Sequence, residues 1–200
     1  MAHDRDVGAF DERAGSYESG WRGRLHHHIA DQVAVLAAQV SPNVGRVLDV
    51  GCGTGYLLRD LAGRLSAVQA LEGIDAAPRM VETARSMGTD PRLGFRVGVA
   101  EELPYDDGSF GLVVSTTSFD HWRDQQRGIR ECARVLEAHG HLLLADLFSS
   151  WLALTLFGSR RRKARTRVRV TLLLAEAGLG SPLWHRLGTP LISAVVASKP

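Results

Sequence analysis

Three glycines at alternate positions, Gly51, Gly53 and Gly55, follow a short apolar run that contains Asp49, in the stretch VLDVGCGTG. Glycine adopts positive φ without strain and lets a ligand approach the backbone closely. Where such a loop leads into a helix, the N–H groups at the helix start also favour negatively charged groups. The spacing therefore predicts a loop that binds a phosphate, a dinucleotide or another nucleoside-bearing ligand.

The exact spacing separates these alternatives. A dinucleotide loop needs a glycine at the position of Tyr56, and the phosphate loop of nucleotide hydrolases needs Gly-Lys-Ser/Thr, which this loop lacks. Asp75 follows Gly55 by twenty residues and ends a second apolar run. A carboxylate there can accept hydrogen bonds from both hydroxyls of a ribose. Together the motifs predict a nucleoside-bearing ligand without a buried pyrophosphate.

Other reactive side chains have both a chemical and a plainer explanation. His121, in SFDHW, has a side chain suited to accepting a proton from a substrate, but it also suits a loop residue that caps the next helix. Cys52 is predicted to be a small spacer, because the sequence assigns no base to activate its thiol. Consecutive residues of a helix point about 100° apart, so His26, His27 and His28 cannot converge on one metal ion. We therefore expect no metal site, and one or two of these histidines to line a substrate cavity.

A basic stretch, GSRRRKARTRVR at residues 158–169, has three explanations. The commonest origin of such a cluster is a solvated loop, which we favour. The apolar stretch WLALTLF at 151–157 suits an interfacial helix, which leaves peripheral membrane contact or a lipid-like acceptor open. Nucleic acid is the least favoured partner, since the net charge of the whole chain is only +2.

The elements that position these residues alternate between strand and helix. Short apolar runs predict strands at 46–50, 68–75, 93–100, 110–117 and 141–148, and helical spacing predicts helices at 22–40, 56–65, 77–88, 124–138 and 167–179. Residues 181–188 and 190–198 are predicted to close the sheet as an antiparallel pair. This alternation is typical of βαβ units, so the predicted fold is α/β: a Rossmann-like, seven-stranded, mostly parallel sheet with helices on both faces and an N-terminal helical cap.

Length and composition predict one domain without a disulfide framework. The 200 residues divide into a helical cap at 1–43, a ligand-binding core at 44–148, and a lid-like segment with the closing strands at 149–200. The two cysteines lie far apart, which is typical of a reducing cytoplasm. No apolar run reaches the roughly 20 residues that a membrane-spanning helix needs.

Several motifs in order resemble the class I methyltransferases that use S-adenosylmethionine, of the compact UbiE-like type that acts on small molecules. VLDVGCGTG resembles the first motif of that family, EGIDAAPRM the second, GVAEELPYDDGSFGLVVS the third and fourth, and ECARVLEAHGHLLLADL the helix and fifth strand. The resemblance covers residues 10–147. It implies S-adenosylmethionine as methyl donor, S-adenosylhomocysteine as product and a small-molecule acceptor.

The resemblance also implies roles for individual residues. The glycine loop would contact the methionine part of the cofactor, Asp75 the ribose, and Asp49 the loop and the cofactor ammonium. His121 is the candidate catalytic base, although methyl transfer from an activated sulfonium needs none if the reactants are aligned. The full set implied to bind the cofactor is Tyr17, Asp49, Gly51, Cys52, Gly53, Asp75, Ala76, Met80, Ala100, Glu101 and Thr116.

Two departures from the family pattern keep alternatives open. Val99 stands where the family often has an acid that accepts from the adenine amino group, and EAHGH replaces the usual Lys-Pro-Gly-Gly before the fifth strand. One alternative is therefore a catalytically inactive protein that binds S-adenosylmethionine or S-adenosylhomocysteine, or a partner protein of the same fold. A nicotinamide enzyme is disfavoured by Tyr56, and the Asn/Asp-Pro-Pro-aromatic motif of amino-methylating nucleic-acid enzymes is absent from the sequence.

Overall fold

The computed structural model describes residues 7–8, 11–12, 20–148, 166–188 and 192–200. Three predictions lie outside these ranges: the cofactor contact of Tyr17, the helix in 151–157, and most of the basic stretch 158–169. No helix within the described residues is both long and apolar enough to cross a membrane.

The described elements alternate as the sequence predicts. The strands are β1 (Arg46–Val50), β2 (Ala70–Asp75), β3 (Leu93–Val97), β4 (Phe110–Thr116), β5 (Leu136–Asp146), β6 (Gly180–Arg186) and β7 (Ser193–Ser198). The helices are α1 (Gly20–Val40), α2 (Tyr56–Arg64), α3 (Pro78–Met87), α4 (Gln125–Val135) and α5 (Arg167–Glu176), with a 3₁₀ turn at Phe119–His121.

The seven strands form one sheet in the order β3-β2-β1-β4-β5-β7-β6. The first five are parallel, β7 is antiparallel to β5, and β6 is antiparallel to β7. This confirms the predicted mostly parallel, Rossmann-like sheet and its antiparallel closing pair. The strand order changes direction between β1 and β4, so the crevice beyond the carboxyl ends of these strands is the expected ligand site.

Helices cover the central strands on both faces. One apolar cluster joins α1, α2 and α3 to one face of the sheet, and a second joins α4 and α5 to the other. Strands covered in this way are apolar on both sides, which explains the continuous runs around Leu48 and Val113, both fully buried. The N-terminal helix α1 packs on α2, β4 and β5, and so lies beside the carboxyl end of β4.

The largest difference between predicted and observed element bounds lies between α4 and β5. The helix predicted over 124–138 ends at Val135, and β5 begins at Leu136 instead of His141. Leu136 pairs with Phe110 of β4, and a register shift follows before Leu112 pairs with His141. Pairing with β4 therefore holds residues 136–138 in an extended conformation, although their apolar spacing alone favours a helix.

Candidate functional site

Two cavities meet at the carboxyl ends of β1, β2 and β4. The main cavity has a volume of about 730 Å³ including its open mouth, and the α1-side cavity, between α1 and the glycine loop, has about 460 Å³ on the same measure. Gly51, Gly53, Thr116 and Thr117 line both. A ligand seated on the glycine loop therefore reaches both spaces.

The structure brings most of the predicted site residues together. The main cavity is lined by nine of them: Gly51, Gly53, Asp75, Ala76, Met80, Ala100, Glu101, Thr116 and His121. The other two that the structure describes, Asp49 and Cys52, line the α1-side cavity, as do His26 and His27.

The three glycines of the loop differ in what a side chain would contact at their positions. All three have positive φ, at 80° for Gly51, 53° for Gly53 and 78° for Gly55. A Cβ on Gly51 would lie 2.0 Å from Ser118 Oγ, and one on Gly55 would lie 2.7 Å from the ring of Phe95. A Cβ on Gly53 would meet nothing within 4 Å. Gly51 and Gly55 thus allow the loop to pack, whereas Gly53 leaves open space where a ligand can approach the backbone.

Asp75 is held by two backbone donors. Its Oδ2 accepts from Gly53 N at 2.8 Å and its Oδ1 accepts from Ala77 N at 2.9 Å, just before α3 begins. Burial raises the pKa of this carboxyl, and the two backbone hydrogen bonds oppose that rise. Each carboxylate oxygen keeps a further lone pair, so the group can accept two more hydrogen bonds from a ligand.

Asp49 and Thr116 carry buried polar atoms that lack partners. Asp49 is 2% exposed, and among the described residues neither its Oδ1 nor Thr116 Oγ1 has a hydrogen-bond partner. Burial, and secondarily the charge of Asp75, raise the pKa of Asp49 to about 8. A buried carboxyl oxygen without a hydrogen-bond partner is costly, and a positively charged ligand group would supply that partner.

The far side of the main cavity is mainly apolar. Met80 is buried against Ala77 and Val7, and Val99 and Ala100 face the same space. Glu101 Oε1 accepts from Asp124 N at 2.8 Å, so this carboxylate also ties the cavity wall to the start of α4. A flat, weakly polar group fits this wall.

The surroundings of Cys52 disfavour a chemical role, whereas those of His121 leave one open. Burial raises the pKa of the Cys52 thiol well above its ordinary value, which does not suit a nucleophile. His121 lies on the main cavity, and its charge partly offsets the burial that raises the pKa values of Asp75 and Asp146. His121 is thus placed near the predicted ribose carboxylate and is not among the residues that line the α1-side cavity.

Sequence reasoning missed three residues that follow β4. Trp122 is 5% exposed on the main cavity, and its Nε1 donates to Ser118 Oγ at 3.0 Å. Ser118 Oγ in turn donates to Val50 O at 3.1 Å and lies against Gly51. Thr117 lines both cavities at φ 52°. The position of this segment directly after β4 could have indicated all three residues, but the sequence prediction named only His121 from it.

Within the described ranges, His, Cys, Asp and Glu side chains form no group of three that could hold a metal ion.

The chain is similar in sequence to known proteins. Residues 48–144 match the model described as a methyltransferase domain. The chain is 36% identical over 107 residues to the uncharacterized methyltransferase YcgJ of Bacillus subtilis, a match that covers 52% of this chain and 41% of that protein. It is 34% identical over 106 residues to the ubiquinone/menaquinone biosynthesis C-methyltransferase UbiE of Citrifermentans bemidjiense, covering 51% of this chain and 45% of that one. These matches span less than half the length of either relative.

The fold also has solved counterparts. The structure of the PH0226 protein of Pyrococcus horikoshii superposes with a TM-score of 0.77 at 18% identity, covering 92% of this chain and 95% of that one. At this identity the likeness concerns the fold.

Proposed function

We propose that this chain, whose residues 48–144 match a methyltransferase-domain family and which is similar to UbiE, is a class I S-adenosylmethionine-dependent methyltransferase of the UbiE-like kind that transfers a methyl group from S-adenosylmethionine to a small-molecule acceptor. The observation that carries the proposal is the pair of carboxylates on either side of the open Gly53. Asp75 lies on the main cavity and Asp49 on the α1-side cavity. A ligand with two hydroxyls at one end and an ammonium at the other matches this arrangement.

The nucleoside half of the cofactor fits the main cavity. Asp75 would accept from the ribose hydroxyls through the lone pairs left by Gly53 N and Ala77 N. Ala76, Met80 and Ala100 would flank the adenine. Val99 offers no carboxylate to the adenine amino group, so backbone groups of this segment would accept in its place.

The methionine half fits the loop and the α1-side cavity. Asp49 Oδ1 lacks a partner among the described residues, and a cofactor ammonium would supply one. Such a cation would also lower the pKa of Asp49 from its raised value near 8, so binding and ionisation of this carboxyl would be coupled. Gly51, Cys52 and Gly53 would contact the chain of the methionine, with Thr116 Oγ1 close by.

The cofactor, when bound, supplies a methyl group on a positively charged sulfur. The protein then has to align an acceptor with that methyl and keep water away, which can account for most of the rate without a catalytic base. Where the acceptor carries a proton, a base is needed as well, and His121 remains one candidate. The names of the relatives include quinone-biosynthesis methyltransferases, which supports a small organic acceptor here.

Calorimetry with S-adenosylmethionine and S-adenosylhomocysteine tests the cofactor assignment. We expect both to bind one site per chain. If neither binds, the proposal is wrong. Detecting methyl transfer by mass spectrometry against a panel of small acceptors then separates an active enzyme from an inactive cofactor-binding protein of the same fold.

A further inference from the structure

The outer face of α5 is apolar although it is exposed. Val170 and Leu174 are fully buried against the sheet, whereas Val168 is 73% exposed and Leu172 is 57% exposed. Residues four apart lie on the same face of a helix, so the two exposed side chains are neighbours. A surface helix ordinarily presents polar residues on its outer face. The apolar outer face of α5 therefore indicates a surface that contacts a partner.

Arginines surround these two side chains. Arg169 is exposed on α5, and Arg167, also exposed, donates to Ser193 Oγ at 2.9 Å and lies over the ring of Trp184. Arg186 is exposed on β6 and shares a face of that strand with Trp184, because alternate residues of a strand lie on the same face. Within the ranges that the structure describes, no acidic side chain forms an ion pair with any of the three arginines.

The charge of the chain is unevenly distributed along the sequence. Residues 147–200 contain nine arginine and lysine residues and a single acidic residue, Glu176, whereas residues 1–146 contain 15 basic and 21 acidic residues. The formal net charges of the two parts are therefore +8 and −6. Glu176 Oε2 accepts from Gln126 Nε2 of α4 at 2.7 Å. The small net charge of the whole chain thus conceals a strongly basic C-terminal part, which favours an anionic partner at α5.

A lipid surface fits this composition better than a nucleic acid does. Phosphate backbones are bound by positive charge and hydrogen-bond donors, and the side chains of Val168 and Leu172 offer neither. At a membrane interface, apolar side chains enter the acyl boundary while arginines contact the anionic headgroups. We propose that the outer face of α5 docks on an anionic lipid bilayer, with Val168 and Leu172 inserted and Arg169 at the level of the headgroups.

The start of α5 lies at the edge of the sheet where the two cavities open. Ser193, which accepts from Arg167, pairs with Asp146 at the carboxyl end of β5. Asp146 Oδ2 in turn accepts from Asp120 N at 3.1 Å, and the next residue, His121, lines the main cavity. Docking through α5 would therefore hold the cavity edge of the sheet near the lipid, and not the opposite edge.

Co-sedimentation of the full chain with lipid vesicles tests the proposal. No cofactor is added, so the outcome is independent of the proposed function. We expect the protein to pellet with vesicles of equimolar phosphatidylglycerol and phosphatidylcholine and to stay in solution with pure phosphatidylcholine. Each basic residue at an anionic surface strengthens binding about fivefold, so raising the salt concentration should release the protein. Equal binding to both kinds of vesicle, or binding to neither, would overturn the proposal.

Four substitutions test whether α5 is the surface that binds. Leu172→Ser should weaken vesicle binding at least about tenfold, since an inserted apolar side chain is lost, and Arg169→Gln should weaken it about fivefold. The matched apolar control is Leu183→Ser, at a 64% exposed residue on the face of β6 opposite Trp184. The matched charge control is Arg24→Gln, at an exposed residue of α1 on the other side of the sheet. Both controls should bind like wild type. If the α5 variants keep full affinity, or the controls lose as much, another surface binds the vesicles and the proposal is wrong.

Further measurements separate lipid from other partners of this face. In sedimentation velocity without vesicles, a wild-type dimer that becomes a monomer in Leu172→Ser would identify the face as a contact between two copies of the chain and overturn the proposal. Binding of a fluorescent DNA duplex without binding of anionic vesicles would likewise overturn it. Val168→Ser repeats the apolar test at a more exposed residue. Urea unfolding midpoints of these variants should equal that of wild type, because the substituted side chains are exposed, so weaker vesicle binding would not reflect unfolding.

Discussion

Replacing Asp49 by asparagine should make the protein more stable and a poorer cofactor binder. The side chain is 2% exposed in β1, and burial raises its pKa from 3.8 to about 8. The folded protein therefore keeps this proton over a pH range in which the unfolded chain has lost it. A folded state that binds more protons than the unfolded state loses stability as pH rises, and here the loss runs from about pH 4 to about pH 8.

The expected loss of stability follows from the size of the pKa shift of Asp49. Each pH unit within that range is worth about 1.4 kcal/mol, so the free energy of unfolding of the wild type should fall by up to roughly 4 kcal/mol between about pH 5 and about pH 8 because of this residue alone. Asparagine does not ionise. The stability advantage of Asp49→Asn over the wild type should therefore grow across the same range and approach that value.

Urea unfolding of both proteins at several pH values measures this difference. Asp106→Asn, at an exposed residue shortly before β4, is the matched control for the loss of one carboxylate. A difference between Asp49→Asn and wild type that is flat with pH would refute the raised pKa. A variant less stable than wild type at pH 8 would refute the view that this carboxyl is an unsatisfied buried group.

Cofactor affinity, unlike stability, should fall in Asp49→Asn. A carboxamide carries no charge and cannot form an ion pair with an ammonium, so Asp49→Asn should bind S-adenosylhomocysteine roughly 10- to 100-fold more weakly, a loss of about 1.5–3 kcal/mol. Wild-type affinity should rise with pH up to about 8 as the carboxyl ionises more readily. Calorimetry that finds equal affinity for wild type and variant would remove Asp49 from the ammonium site.

Four further substitutions test other parts of the site. Asp75→Ala should weaken S-adenosylhomocysteine binding by at least about tenfold, since the ribose hydroxyls lose a charged acceptor, and unchanged calorimetric affinity would contradict that role. Gly51→Ala should lower the free energy of unfolding by more than Gly53→Ala, because both residues have positive φ but only a Cβ on Gly51 would meet Ser118 Oγ, at 2.0 Å; equal losses in urea unfolding would count against the steric argument. Gly53→Ala should instead reduce cofactor affinity, as it fills the open space beside the loop. Trp122→Phe should cost about 1 kcal/mol of unfolding free energy through the lost hydrogen bond to Ser118 Oγ, and a denaturation midpoint equal to that of wild type would show that this bond contributes nothing.

Most residues that line the main cavity could be predicted from sequence because their signals are local. Gly51 and Asp75 each directly follow or end an apolar run, and parallel strands bring their carboxyl ends to one edge of the sheet. Alternation of strands and helices likewise determined the order of the elements. The boundary at Leu136 was missed because ladder pairing with Phe110 overrode the helical spacing.

Tertiary structure alone decided which side chains meet. Ser118 lies against Gly51, Asp49 Oδ1 lacks a partner among the described residues, and His26 contacts Thr117 across 91 positions of sequence. No local pattern encodes these contacts, since they depend on how α1 packs over the end of β4 and on a left-handed conformation at a β-branched residue. The sequence by itself therefore determined the fold class and the residues expected at the cofactor. The α1-side cavity, which is built from a helix and loops remote from each other in the chain, took its shape only when packing brought them together.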